Sequence, residues 1–527
     1  MSTHTHGIIF SQLEAPGRTL SFADDVLVYR HGKNRQEIAD SVQQELDRIE
    51  EWCTEMNGKI HPDKATTLWC SLNNHALKAD MPEVSIDGKA IKREHILRYL
   101  GIIFDRSLSG KDHVTRIIQK SRKGLTALKT MASLKMPQRV LMILYKALVL
   151  SVIEYGQGLL TLSTAQLKRL EVIQNEGMRA ILGCTKDTSS EAMRHLLDFP
   201  PAAERHKLAQ VSAYLKVAAD EGHPLHAKIG RQYTSRLKRG KEWMEQAADT
   251  ISQSISVGQI RKGAMWKEMG EEADQYTHVI ATLGRECREW APGATNAEIE
   301  SIISEVSGAE DAVCFTDGSV KRGERSGWAY TVRVDGSTVA EKSAAIELTT
   351  SSMSMEIKAI TELLAFLRDS HIRKAIVVTD SMSTLEKIKK KLLYADWVEL
   401  INASQLQAIT WIFCPGHAGV LGNERADSLA GTAEINNELT LDPPAVMAHV
   451  REHLAAHRPP SNSYTLQRLL ERNVKAGEGR RSDLRGTARR QHNQLLLETI
   501  SQTTLRSTLR ARGEQAWVCP DCNEPYA

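Results

Sequence analysis

Five residues between positions 317 and 427 have the types and spacing for phosphoryl chemistry. Asp317 ends the apolar run AVCFT and is followed by Gly318-Ser319; Asp380 ends AIVVT and is followed by Ser381. Both would project from strand termini, where mixed α/β folds place ligands. Glu356 lies one turn before Ile360, and Leu363, Leu364 and Leu367 continue that stripe, so its carboxylate points at the sheet and not at solvent. Asp427 sits in NERADSLAGTAE, beside Ala426 and one turn before Ala430, again on a face that should pack. A buried carboxylate without compensation costs several kcal/mol, and four converging would repel one another. Divalent cations resolve that conflict. Carboxylates with no His or Cys in the set select hard ions, Mg²⁺ or Mn²⁺, over Zn²⁺. Two such ions about 3.5–4 Å apart clamp a phosphodiester, one activating water and the other stabilising the leaving oxygen. His417, in CPGHAGVLGNERAD, has Pro415, Gly416, Gly419 and Gly422 around it. It should ride a mobile loop beside the site and move protons at the leaving group.

The elements that must position these groups are legible as a change of texture at 311. AVCFTDGS, GWAYTVRV and Ser337–Ala345 read as strands, MSMEIKAITELLAFL as an amphipathic helix, AIVVTD and QAITWIFCPGH as further strands, and NERADSLAGTAE as a closing helix. Strands followed by alternating helices and strands predict a mixed sheet with helices packed on it. Each signal alone is weak: a DG at a strand end is usually a turn. In order, however, TDGS…E…TDS…PGHAGVLGNERAD resembles ribonuclease H of the type I family over 311–435. The resemblance implies a five-stranded mixed sheet with flanking helices and endonucleolytic cleavage of the RNA strand of an RNA–DNA hybrid. It implies that Asp317, Glu356, Asp380 and Asp427 hold two Mg²⁺ ions, that His417 assists catalysis, and that Asn423 and Ser319 lie near substrate. The loops after Asp317 and around Ser351–Ser354 are polar enough to contact the nucleic-acid backbone.

A second carboxylate pair, Asp24 and Asp25, sits in SFADDVLVYR at the tip of a hairpin over 18–30. A helix follows, with Ile38, Val42, Ile49, Trp52 and Met56 near one face. FADD, then HPDKATTLW with Pro62 and Lys64, then RYLGIIFD with Tyr99-Leu100-Gly101 resemble, in order, the palm motifs of reverse transcriptases of non-LTR, jockey-like retrotransposons. Residues 111–220 are helical in pattern, and EYG (154–156) and LEVIQNEGMRAILG resemble the thumb and connection of such elements. Polymerase chemistry needs a third carboxylate on a neighbouring strand. The twenty residues before the hairpin offer only Glu14, in SQLEAPG. The expectation is therefore a polymerase remnant without polymerase activity of its own.

The resulting plan is a partial reverse-transcriptase palm over 1–110, a helical thumb or connection over 111–220, a linker over 221–310, a ribonuclease H domain over 311–438 and a basic tail over 439–527. The length, 527 residues, suits about three or four domains, and the net charge of +3 announces no polyanion partner. From Gly479 to Arg512, however, eight arginines face only Asp483 and Glu498. This basic tail fits a solvated segment or a nucleic-acid contact equally. Cys519 and Cys522 form CPDC, half of a zinc knuckle, which needs four ligands. The other six cysteines are scattered singly, as buried thiols in a reducing compartment would be. The first residues resemble no signal peptide, and Val140–Ile153 is broken by Lys146 and too short to span a bilayer, so an intracellular, nuclear or cytoplasmic protein is expected. Three readings follow: a hybrid-cutting nuclease, a non-catalytic nucleic-acid-binding remnant, and an inert relic; nucleic acid and other retroelement proteins are the expected partners. The intact acidic set favours the first.

Overall fold

The computed structural model describes residues 19–497 apart from 24, 72–75, 231–241, 256–259, 262–264, 271–273, 275–276, 285, 288–289, 292 and 437–440, together with the backbone of 517–518 and 525–526. The chain divides into two units, Met1–His206 with Pro460–Ala527, and Lys207–Pro459.

In the first unit, β1 (Thr19–Phe22) and β2 (Asp25–Val28) form the hairpin expected from SFADDVLVYR. Ala23 at its turn has φ +55°, the left-handed conformation that tight two-residue hairpin turns demand. Helix α1 (Arg35–Glu55) starts at the Asn34 cap. Its buried Glu45 accepts hydrogen bonds from Thr19 Oγ1 (2.7 Å) and Arg30 Nη2 (3.1 Å), tying helix to hairpin. β3 (Ile96–Tyr99) and β4 (Ile102–Asp105) make a second hairpin turned at Leu100-Gly101. Tyr155, from the EYG motif, donates its hydroxyl to Leu100 O at 2.5 Å. Two separately noted motifs therefore meet. Among the described residues, though, the strands of 19–110 pair only in twos, and no single palm sheet is assembled.

Helices α2 (Lys111–Ser133), α3 (Gln138–Tyr145, continued by a π-helical turn to Leu150 and a last turn to Glu154) and α4 (Thr164–Leu182) follow. Gln138–Leu159 is, among the described residues, the only helical stretch long and apolar enough to cross a membrane by length and composition. Leu141, Met142, Tyr145, Val149 and Ile153 of this stretch lie buried in the unit's core. The chain returns to the same core after Pro460: Leu469, Leu496 and Leu497 are buried in it. Gln138 Nε2 donates to Gly479 O, and Asn493 Nδ2 to Gln138 Oε1 and Leu182 O. The span read as a basic tail, either solvated or in contact with nucleic acid, is thus folded as far as 497. Arg480 bonds the carbonyls of Leu197 and Asp198, and Arg489 is buried. A sequence window could not reveal this, because the partners lie some three hundred residues away.

After the helix Ala202–Ala219, most of which belongs to it, the second unit continues with α5 (Trp243–Ser252), β5 (Trp266–Glu268), β6 (Thr277–Ile280) and α6 (Ala294–Val306). Then come β7 (Ala312–Lys321), β8 (Arg325–Val334) and β9 (Ser337–Ile346), the meander whose three strands the sequence reading expects. Helix α7 (Ser352–Arg368) precedes β10 (Lys374–Thr379), an apolar run buried on both faces as an interior parallel strand should be. Next are α8 (Met382–Lys389), β11 (Leu392–Tyr394), α9 (Ala395–Asn402), β12 (Ala408–Phe413), α10 (Leu421–Thr432) and α11 (Pro443–Ala456).

The sheet has six strands in the order β6-β12-β10-β7-β8-β9, not five. β6, β12, β10 and β7 are parallel neighbours; β8 and β9 run antiparallel beyond β7. The extra strand comes from 221–310, which the polar composition had suggested was a linker. Among the described residues β6 is an edge strand paired only with β12, β5 pairs with β11, and α5 contributes Met244, Ala247 and Ile251 to the main core. That core, on the α7 face, includes Cys314, Val377, Trp397 and Trp411. A smaller one on the opposite face holds Phe315, Val378, Ile412 and Ala426. Of the six described cysteines, all free, Cys287, Cys314 and Cys414 are buried as expected, Cys53 and Cys184 are half-buried, and Cys70 is exposed.

Candidate metal centre

The site lies at the carboxyl end of β10, where the pairing of β10 with β7 stops at Thr316↔Thr379 and β7 runs on alone against β8. Asp317 and Asp380 are the next residues on these two strands. Asp317 shares its strand face with Phe315, which packs against Ala426 of α10. Glu356 approaches from the other face on α7, whose cap is Ser351, accepting from Ser354 N–H. Two close approaches bring the helices in. A Cβ on Gly318 would lie 2.6 Å from the Glu356 backbone nitrogen, and a Cβ on Gly422 would lie 2.4 Å from the Phe315 ring. Only glycine lets α7 and α10 close on β7 from opposite sides.

Ligand oxygens of Asp317, Glu356 and Asp380 all lie within 4.8 Å of one another. Asp317 and Glu356 are buried, 6% and 5% exposed, and Asp380 is half-buried. Asp427 acts on Asp317 from nearby, but its carboxylate groups with His417 and Glu424 and not with these three. Burial first, then the charges of Asp380 and Asp427, push the Asp317 carboxyl up to about 8. Burial, then Asp380 and Asp317, raise Glu356 well above the usual carboxylate range. Carboxyls raised in this way hold protons that a divalent cation would displace. The donor set fits a hard cation: Glu356 Oε1 accepts from Gly318 N–H at 3.2 Å, whereas its buried Oε2 has no hydrogen-bond partner.

His417 has φ +53°, with Gly419 at +78° in the same turn. Its Nδ1 lies 3.6 Å from Asp427 Oδ2, and its side chain is largely exposed. With Glu424 and Asp427 it forms a second group of three potential ligands. Glu424 was missed in sequence, although its three-residue spacing from Asp427 on one helix was the available signal. Asn423 is buried, with Oδ1 unpartnered, in the first turn of α10, and Ser319 is half-buried two residues past Asp317. Around Ser351–Ser354, the stretch polar enough to contact nucleic acid, several polar groups bond within the protein, while Ser352 is exposed. Thr349 Oγ1 accepts from Gly323 N–H, Thr350 N–H donates to Ser326 Oγ, and Thr349, Thr350 and Ser354 are buried. Asp25 lies exposed at the start of β2 and belongs to no group of three potential ligands among the described residues. Asp24, Cys519 and Cys522 lie outside the described residues.

Residues 309–435 match the RNase H family model. Ribonuclease H of Nitratidesulfovibrio vulgaris is 32% identical over 152 residues, an alignment covering 25% of this chain and 95% of that protein. Through this domain the chain belongs to the RNase H family. It is also homologous to jockey-type retrotransposon polymerases. The RNA-directed DNA polymerase from mobile element jockey of Drosophila funebris is 27% identical over 168 residues, and the probable RNA-directed DNA polymerase from transposon X-element of Drosophila melanogaster 28% over 169. Each alignment covers 31% of this chain and 18% of the relative, so the chain matches under a fifth of the length of these relatives.

Proposed function

We propose that the Lys207–Pro459 unit hydrolyses the RNA strand of RNA–DNA hybrids in a divalent-metal-dependent reaction, within a polypeptide of jockey-like retrotransposon origin. The observation that carries this reading is the meeting of Asp317, Glu356 and Asp380 within 4.8 Å, from three elements separated in sequence. Asp317, Glu356, Asp380 and Asp427 are the residues that would hold two Mg²⁺ or Mn²⁺ ions. When bound, these ions supply positive charge at the scissile phosphate and lower the pKa of an attacking water. The chain's own residues do the rest. Asp317, within 4.8 Å of both Asp380 and Glu356, sets the position of the pair. Asp427, from the opposite face, closes the cluster. His417, exposed and 3.6 Å from Asp427, exchanges protons between the site and solvent. Ser319 and Asn423 flank the substrate path.

The test is cleavage of an end-labelled RNA–DNA hybrid by the purified chain with and without Mg²⁺, with Asp380→Asn as control. Metal-dependent internal cuts in the RNA strand, lost in the variant, support the proposal. Cleavage surviving Asp380→Asn refutes it, and hybrid binding without cleavage makes the chain a non-catalytic binding remnant. The hairpin carboxylates Asp24 and Asp25 are proposed to add no nucleotides by themselves, since they are two ligands where that chemistry needs a third. Primer extension by the purified chain would overturn that.

A further inference from the structure

The RNase H match ends at 435, yet a buried carboxylate beyond it reaches back to the metal centre's first helical turn. Asp442 is 6% exposed and caps α11, its Oδ1 accepting from Ala445 N–H at 2.8 Å. The same oxygen accepts from Ser354 Oγ at 2.8 Å. Ser354, itself 6% exposed, is held from its other side by Ser351: its N–H donates to Ser351 Oγ at 3.1 Å, and the two hydroxyls lie 2.5 Å apart. Glu356 is two residues further along this turn, pressed against Gly318 so closely that a methyl group would not fit. Asp442 is anchored in turn by a segment that precedes the match. Arg261 N–H donates to Leu441 O at 2.9 Å, Ile260 bridges Leu441, and the Arg261 guanidinium grips Asp396 in a two-pronged pair and bonds Tyr394 Oη.

We infer that Asp442 is a positioning residue for Glu356, acting through Ser354 to fix the first turn of α7 and hence the carboxylate's place in the metal centre. This rests on reading the site as a metal centre. Ligands must be held to about half an ångström, and the groups that orient them typically change metal affinity about 10–100-fold when removed. The two serines already form the local helix cap, so Asp442 supplies what a local cap cannot: a fixed point outside α7. It also gives the flanks of the domain, 260–261 and 441–442, a role at the site without touching substrate.

The experiment compares the full-length chain with its S354A, D442A and D442N variants. Mg²⁺ and Mn²⁺ binding is measured by titration calorimetry, and the Mg²⁺ concentration for half-maximal hybrid cleavage is measured in parallel. S354A and D442A should weaken metal binding about 10-fold and raise the Mg²⁺ requirement by the same factor, with hybrid affinity unchanged. D442N keeps the accepting oxygen and should restore both readouts. Unaltered metal affinity in S354A and D442A overturns the inference. Should D442A fail to fold for want of its helix cap, S354A decides, because it leaves the Asp442–Ala445 cap intact. Should the unaltered chain bind metal but leave hybrid uncut, the hydrolase proposal fails while the calorimetric comparison still decides the role of Asp442. A chain that binds neither metal overturns both.

Discussion

Replacing Asp317 by Asn should make the metal-free protein more stable while destroying its activity. Its ligand oxygen lies within 4.8 Å of those of Glu356 and Asp380. At an effective dielectric near 20, two full charges at that separation repel by about 3.5 kcal/mol. Burial and the neighbouring carboxylates hold Asp317 at about 8, against about 3.9 in an unfolded chain. A carboxyl raised by folding is tolerated while protonated. Its contribution is harmless below about pH 4, becomes steadily more destabilising as pH rises to about 8, and is constant beyond. At pH 9 without metal the penalty is fully developed. Asparagine removes one charge from the cluster at nearly the same volume. Allowing for relaxation, the gain should be on the order of 2–3 kcal/mol at pH 9, or about 4–10 °C in the unfolding temperature, and close to nothing at pH 4. Cleavage should fall about 10³-fold or more, since a metal ligand is lost. Scanning calorimetry in a chelating buffer at both pH values, with hybrid cleavage in Mg²⁺, measures the two effects. A variant no more stable than the parent at pH 9 would refute the picture of crowded carboxylates awaiting a cation.

Other expectations follow from the same geometry. Gly422→Ala puts a methyl group 2.4 Å from the Phe315 ring. It should cost about 1–3 kcal/mol in chemical denaturation and slow cleavage by tilting the helix that carries Asp427; a neutral effect on both would contradict the close approach. His206 is 3% exposed, and burial holds its imidazole down at about 4. Stability from the first unit should thus be complete above about pH 6.5 and fall by about 3 kcal/mol as pH drops to 4, a slope that His206→Gln should flatten in urea titrations across that range. A fragment of residues 309–435 loses β6, α5 and α11, baring the outer edge of β12 and the core surface that Met244, Ile251, Val446 and Val450 cover. It should unfold at lower urea than a 207–459 fragment or aggregate, and equal midpoints would show that the flanks contribute nothing.

The acidic centre was legible because its geometry is local to each element. A carboxylate at the end of an apolar strand, or on the apolar stripe of a helix, is out of place unless something compensates it. Asp317, Asp380, Glu356 and Asp427 each carried that anomaly in their immediate neighbours. The meander, α7 and β10 were equally visible, since periods of two and 3.6 survive in short windows. The boundaries were not. The span 221–310 places β6 at the sheet edge and α5 and α6 in the cores, and a strand completed by a distant partner has no signature of its own. The same holds for 460–497, whose arginines look like a solvated basic stretch until Gln138, Leu182 and Leu197 supply partners across some three hundred residues. Sequence alone thus determined which side chains could do chemistry and the elements that bear them. Tertiary structure decided how near they come, through glycines that admit helices to a strand and through Asp442, whose link to the site exists only after the chain has folded back on itself.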